Sequence, residues 1–256
     1  MSARFIDKFD VLLFDVQQTI MFGGDRFAAT EDFYGTYRRC GGSHLSPENV
    51  QSAILRCFDY LMHRYTDAKF FDCFPSLEEA FNASCPDLRQ QSEEVGTLVK
   101  TFACHECGCI SDGYAECIQE LAKTHQLGVV SNIWAKKDNW IQVFERKGIL
   151  DCFETLIFSS DFRSIKPSVT LFHEAMRSFP LSKERVVFVG DSLAYDIAGA
   201  KSAGIKAILI TNKTPISQRM TPEPDFVVPD LYHLLKLNKD NRFFLSGETE
   251  TKKAGG

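Results

Sequence analysis

Asp15 closes an unbroken apolar run, Val11-Leu12-Leu13-Phe14, and opens the segment Asp15-Val16-Gln17-Gln18-Thr19. The run reads as a buried parallel strand. A carboxylate at the carboxyl end of such a strand stands where open α/β sheets bind ligands. The layout recurs downstream, where Val186-Val187-Phe188-Val189 is followed by Gly190-Asp191. Two acids on two strand ends point to a cation site with a nucleophile beside it. Four short segments can reach one mouth of the sheet. They are Asp15 with Thr19, Ser131-Asn132 directly after Val129-Val130, Lys166 just before Pro167, and Gly190-Asp191-Ser192 with Asp196 in the first turn of the next helix.

The elements that must position these residues alternate in the second half of the chain. Strand-like runs at Leu127–Ser131, Thr155–Phe158, Val186–Val189, Lys206–Ile210 and Phe226–Val228 are separated by helical patterns. One helix runs through Trp140 and Phe144. Another opens at Pro167, a favoured first helical position, and a third runs from Ala194 to Ala203 and ends at Gly204, a left-handed cap. This alternation predicts an α/β fold with a doubly wound parallel sheet. Residues 26–102 differ, with four helical patterns and no convincing strand. Ile54, Leu55, Phe58, Leu61, Met62 and Tyr65 follow helical spacing. Ser46-Pro47 opens that helix, and Ser76 with Glu79 forms a capping box for the next. The block reads as a small helical bundle inserted after the first strand, placed to act as a lid. The expected organisation is a core of residues 1–22 and 110–237, a helical cap of residues 23–109 and a disordered tail of residues 238–256. Ser111-Asp112-Gly113 reads as the flexible return linker.

Composition narrows the function. A chain of 256 residues with 44% apolar content can bury a sizeable core. A net charge of −5 without a long basic run argues against nucleic acid as a partner. Met1-Ser2-Ala3-Arg4-Phe5 lacks the apolar core of a signal peptide, and no apolar stretch has the length of a membrane span. The nine cysteines are scattered and odd in number, which argues for reduced thiols and a cytoplasmic location. Cys104-His105-Glu106-Cys107-Gly108-Cys109 invites a zinc reading but lacks a second ligand pair at finger-like spacing, so these read as ordinary thiols. Arg38-Arg39 and His63-Arg64 could grip a second anionic group of a ligand, but a solvated helix face is the better account of them. Phe33, Tyr34 and Tyr37 read as bundle core.

Taken in order, the four segments resemble the haloacid dehalogenase superfamily of hydrolases, in its branch with a helical cap. The likeness covers roughly residues 9–230. The stretch VVFVGDSLAYDIAGAKSAGIKAILI looks like the family's acidic fourth motif, SIKPSVTLF like its lysine motif and LGVVSN like its serine motif. The resemblance implies a Rossmann-like core and a small phosphorylated substrate. It implies that Asp15 attacks phosphorus and becomes an aspartyl-phosphate. Mg²⁺ would be held by Asp15, the backbone carbonyl of Gln17 and Asp191, with Asp196 holding a water. Ser131, Asn132 and nearby amides would bind phosphate oxygens. Lys166 would both bind phosphate and neutralise the transferring group. Thr19 would orient the Asp15 loop.

One position departs from that pattern. Where the family's phosphatases carry a second aspartate that protonates the leaving oxygen, this chain has Gln17, and the usual glycine after it is Gln18. An amide donates a hydrogen bond but does not shuttle a proton at neutral pH. Three readings follow. The chain is a phosphohydrolase whose leaving group scarcely needs an acid or whose water is activated by a cap residue. Or it is a catalytically impaired relative that binds a phosphorylated ligand. Or it is a dehalogenase, which fits poorly with the retained Gly190-Asp191.

Overall fold

The computed structural model describes residues 4–88, 91–212 and 220–236. Six strands form one sheet: β1 (Val11–Phe14), β2 (Gln126–Ser131), β3 (Phe153–Phe158), β4 (Val186–Gly190), β5 (Lys206–Ile210) and β6 (Phe226–Val228). Every pairing is parallel and the order is β3-β2-β1-β4-β5-β6. The order reverses between β1 and β4, the place where open sheets of this kind leave a crevice at the carboxyl ends of the strands. The expected strands are therefore present, each within two residues of its predicted limits.

Both faces of the sheet are covered, and the alternation along β1 shows how. Val11 and Leu13 face a cluster with Phe188, Leu171, Phe172 and Ala200. These come from β4, from α7 (Val169–Met176) and from α8 (Ala198–Ala203). Leu12 and Phe14 face the other cluster, which runs without a break into the insert. That is why the strands read as continuous apolar runs rather than as alternating ones. The second face is covered partly by α5 (Asp112–Ala122), α6 (Asp138–Arg146) and α9 (Leu231–Lys236).

The insert between β1 and β2 holds α1 (Phe33–Arg39), α2 (Pro47–Tyr65), α3 (Leu77–Ser84) and α4 (Ser92–Glu106). Local chemistry sets their starts. Ser46 accepts from the Asn49 amide with Pro47 at the first helical position, and Ser76 and Glu79 form the reciprocal capping box. Phe33 and Tyr37 are buried as bundle core, and the Tyr37 hydroxyl donates to Glu94.

Three local expectations need correction. α7 begins at Val169 rather than at Pro167, because the Ser168 hydroxyl caps the Thr170 amide at 3.2 Å. Ser111-Asp112-Gly113 is no linker, since Ser111 caps α5 by accepting from the Tyr114 amide. The helix after β4 starts as a π-turn, Leu193–Ile197, and becomes α-helical only at Ala198. Such turns favour functional sites, and this one carries Asp196. The expected tail of residues 238–256 lies outside the described residues. Among the described residues no helix is long and apolar enough to cross a membrane.

Candidate active site

At the β1–β4 reversal Phe14 pairs with Val189, and the Asp15 amide continues the ladder by donating to the Val189 carbonyl at 2.9 Å. Asp15 and Asp191 thus leave neighbouring strand ends together. One carboxylate oxygen from each of Asp15, Asp191 and Asp196 lies within 4.8 Å of the other two. Asp196 joins them because the π-turn folds back over Gly190. A Cβ at Gly190 would sit 2.5 Å from the Asp196 carboxyl carbon, so only glycine allows that approach.

Lys166 lies at the centre. Its Nζ donates to Asp15 Oδ1 at 2.5 Å and to Asp196 Oδ1 at 2.6 Å, and the residue is 1% exposed. The other Asp196 oxygen accepts from the Asp191 and Ser192 amides at 3.0 and 2.9 Å. Asp196 therefore both pairs with the lysine and shapes the turn that presents Asp191. Ser131 Oγ donates to Asp15 Oδ1 at 3.0 Å, whereas Thr19 Oγ1 reaches Oδ2 only at 3.4 Å. Oδ2 is the more lightly held oxygen of Asp15. The Asn132 side chain clamps the lysine segment, accepting from the Lys166 amide at 2.7 Å and donating to its carbonyl at 3.2 Å. It also donates to the Tyr65 hydroxyl at 2.9 Å. Its side-chain amide is thereby a brace, leaving the hydroxyl of Ser131 as the nearer anion-binding group.

The site holds more negative charge than it can settle alone. Desolvation raises the Asp15 carboxyl to about 6, with Lys166 pulling down and Asp196 pushing up. Desolvation, then the charges of Asp15 and Asp196, lifts Asp191 to about 8. Burial works against the Lys166 ammonium, but the same two carboxylates outweigh it and hold the lysine above its ordinary value. An all-oxygen donor set with one ammonium among three acids suits a hard divalent cation.

Gln17 lines the cavity above Asp15, but its side chain bonds elsewhere. Its Nε2 donates to the backbone carbonyl of Glu106 at 2.7 Å. That carbonyl belongs to the segment returning from the insert, and the outgoing and returning segments are laced together there. Phe22 and Cys109 exchange two backbone bonds of 2.8 Å, and Asp25 and Arg26 donate to the Glu106 and His105 carbonyls. A Cβ on Gly24 would lie 2.3 Å from the Glu106 carbonyl oxygen, so the crossing depends on that glycine. Glu106 turns its carboxylate inward to accept from the Trp134 and Ala135 amides at 2.6 and 2.9 Å. Desolvation still lifts it to about 8 against those donors.

A family model for haloacid dehalogenase-like hydrolases matches residues 49–210. The chain belongs to that family. Among the family's curated relatives, a glyceraldehyde 3-phosphate phosphatase from Methanothermobacter thermautotrophicus is 35% identical over 98 residues, covering 38% of this chain and 42% of that protein. The chain thus spans less than half the length of that relative. A phosphoglycolate phosphatase from Vibrio cholerae is 28% identical over 158 residues, covering 59% of this chain and 67% of that one. The fold is that of the HAD-hydrolase YfnB from Bacillus subtilis, solved bound to magnesium, with a TM-score of 0.57 at 19% identity over 90% of this chain and 99% of that one.

In this haloacid dehalogenase-like hydrolase, several groups around the acids escaped the sequence reading. Asp25 and Glu106 line the cavity above Asp15, and Phe58, Met62, Tyr65, Trp134 and Tyr195 wall it. Although the Asp25 residue as a whole is exposed, desolvation and then the charge of Asp15 raise its carboxyl to about 6. Met62 and Tyr65 follow the helical spacing of α2, and a helical stripe looks the same whether it faces packing or a cavity. Among the described residues, Asp15, Asp191 and Asp196 form the one group of three or more acid, thiol or imidazole side chains close enough to share an ion. The Cys104–Cys109 run forms none.

The lysine invites a direct test. Lys166→Met should lower the unfolding free energy by roughly 3–5 kcal/mol in metal-free buffer, since it leaves buried carboxylates facing each other without a cation. Added Mg²⁺ should recover part of that loss, read as a larger rise in melting temperature than wild type shows. Melting indistinguishable from wild type in metal-free buffer would mean that the ion triad does not hold the site together.

Proposed function

We propose that this chain is a Mg²⁺-dependent phosphohydrolase acting on a small phosphorylated metabolite through an aspartyl-phosphate at Asp15, with the helical insert as its cap. The observation that carries the reading is the meeting of Asp15 with Lys166, Ser131, Asp191 and Asp196 at the reversal of the strand order. The phosphatase names of the two curated relatives support the same class of substrate. Asp15, Asp191 and the backbone carbonyl of Gln17 would hold the cation, with Asp196 behind them. When bound, the cation supplies the positive charge that offsets repulsion between a carboxylate and an anionic phosphate.

The chain's own residues account for the rest. Asp15 Oδ2, the less restrained oxygen, attacks phosphorus. The P–O bond to the leaving group breaks as the Oδ2–P bond forms. Ser131 and Lys166, which bond Asp15 Oδ1 in the free protein, are within reach of the phosphoryl oxygens and of the charge that develops on them. Water then attacks phosphorus, releasing inorganic phosphate and restoring the Asp15 carboxylate. Gln17 supplies no proton to the departing oxygen, so that proton comes from solvent.

A panel of phosphorylated metabolites, run with Mg²⁺ and with a chelator, tests the reading. Phosphate release that requires the metal is the expected result. No release from any member would favour the second reading, a ligand-binding relative with impaired turnover, which the engagement of Gln17 with the Glu106 carbonyl supports.

A further inference from the structure

The cavity above Asp15 encloses about 290 Å³, at the small end of ligand pockets. That space would take a phosphate and one ring. Its apolar side is built by three separate elements. Phe58, Met62 and Tyr65 come from α2, Trp134 from the loop after β2, and Tyr195 from the π-turn after β4. The rings support one another: the Tyr65 and Tyr195 centroids are 4.5 Å apart, and Trp134 lies 5.6 Å from both Tyr65 and Phe58. The wall begins at the phosphate position itself. Tyr195 precedes Asp196 in the chain, Trp134 follows Ser131 by three residues, and the Tyr65 hydroxyl is bonded to Asn132. The first atoms of a leaving group therefore meet aromatic surface.

The charge on the lining points the same way. Among the described residues lining the cavity, Lys166 is the one cation, already shared between Asp15 and Asp196. Asp25 and Glu106 add carboxyl groups beyond the phosphate position. Three arginines of the insert are used elsewhere. Arg38 donates to the Gly42 carbonyl, Arg39 to Thr36, and Arg64 to the Tyr60 carbonyl while stacking on the Tyr60 ring. A carboxylate or second phosphate on the substrate would find no counter-charge here. Gln17 makes a third demand, because a leaving group without an acid beside it must depart as a weak base. A phenol ionises near pH 10, as tyrosine does, whereas an alkyl alcohol resembles water, with a pKa of about 15.7.

On the reading given under Proposed function, we infer that the substrate is an aryl phosphate: a phosphate monoester carried directly on an aromatic ring, with no second anionic group near it. The ring lies against Tyr65, Trp134 and Tyr195 while the phosphoryl group faces Asp15.

Binding tests this apart from turnover. Phenylphosphonate, propylphosphonate and phosphonoacetate keep the oxyanion head but cannot be hydrolysed. Titrated in the presence of Mg²⁺, phenylphosphonate should bind at least roughly tenfold tighter than propylphosphonate, as expected for burial and stacking of a ring. Phosphonoacetate should bind weakest. The phenyl ligand should change tryptophan fluorescence in wild type and not in Trp134→Phe, where the remaining tryptophan, Trp140, is buried elsewhere. Met62→Arg, a change at an exposed position of the wall, should reverse the order and favour phosphonoacetate. Equal affinity for the phenyl and propyl ligands, or a wild-type preference for phosphonoacetate, would overturn the inference and leave the phosphohydrolase reading standing. The phenyl preference without hydrolysis of phenyl phosphate would keep the ring-binding site but overturn the claim that its ligand is a substrate, together with the phosphohydrolase reading.

Discussion

Asp15→Asn should lower metal-dependent phosphate release by roughly 10⁴- to 10⁶-fold, the scale seen when a covalent nucleophile is removed from a hydrolase. The amide keeps the shape of the carboxylate but has no anionic oxygen with which to attack phosphorus. It should cost the fold little. Lys166 keeps its 2.6 Å partner in Asp196, and Ser131 can still donate to the amide oxygen. The ionised Asp15 is itself a burden on stability. Its carboxyl is raised to about 6 in the folded state, above the ordinary aspartate value, so the folded protein binds more protons than the unfolded chain between the two. Stability contributed by this group falls as pH rises through that interval and stays low above it. A neutral residue at position 15 removes that dependence. Melting at pH 7 should therefore hold or rise while activity collapses, and phosphate-release assays beside thermal melts in chelator read both. Turnover that survives the substitution would place the nucleophile elsewhere.

Gln17→Asp should act in the opposite direction, raising turnover of alkyl phosphates by about 10²- to 10⁴-fold, the usual worth of a positioned general acid. The side chain that Gln17 now extends to the Glu106 carbonyl is a donor at 2.7 Å. Aspartate is shorter and, when ionised, only accepts. It cannot keep that bond, and repulsion from the carbonyl oxygen turns it toward Asp15 and the cavity. Aryl phosphates, whose leaving oxygen needs less help, should gain much less. A plot of rate against leaving-group pKa should thus flatten in the variant. Equal gains for both substrate types, or none, would show that position 17 does not limit proton transfer.

Much of the sheet was legible from residues alone. Val11–Phe14 and Val186–Val189 are apolar at every position because both faces of the sheet are covered, and each run is closed by an acid or by glycine and an acid. The fold then brings Asp15 and Asp191 together. Lys166 could be picked out by its place before α7, but not its burial between two carboxylates, which depends on the clamp from Asn132. Helix starts were harder. Pro167 and Ser168 both carry start signals, and the serine hydroxyl prevails because it bonds an amide that proline leaves unsatisfied. The walls of the cavity were illegible for a different reason. Phe58, Met62 and Tyr65 obey the period of a buried helix, and nothing local distinguishes a ring packed on a neighbour from one facing an opening. Glu106 lies 89 residues from Gln17 in the chain, so its meeting with Gln17, Trp134 and Ala135 is a product of closure that no short-range pattern carries.

The laced crossing between the insert and the sheet has a mechanical consequence. Residue 17 stands two positions beyond Asp15, and its side chain is fastened through one hydrogen bond to the segment returning from the insert. A swing of the helices that shifts the Glu106 carbonyl must either drag the Asp15 loop with it or let go of Gln17. Position 17 and the segment returning from the insert thus hold each other in place, so a change on either side of the crossing reaches the loop that carries Asp15.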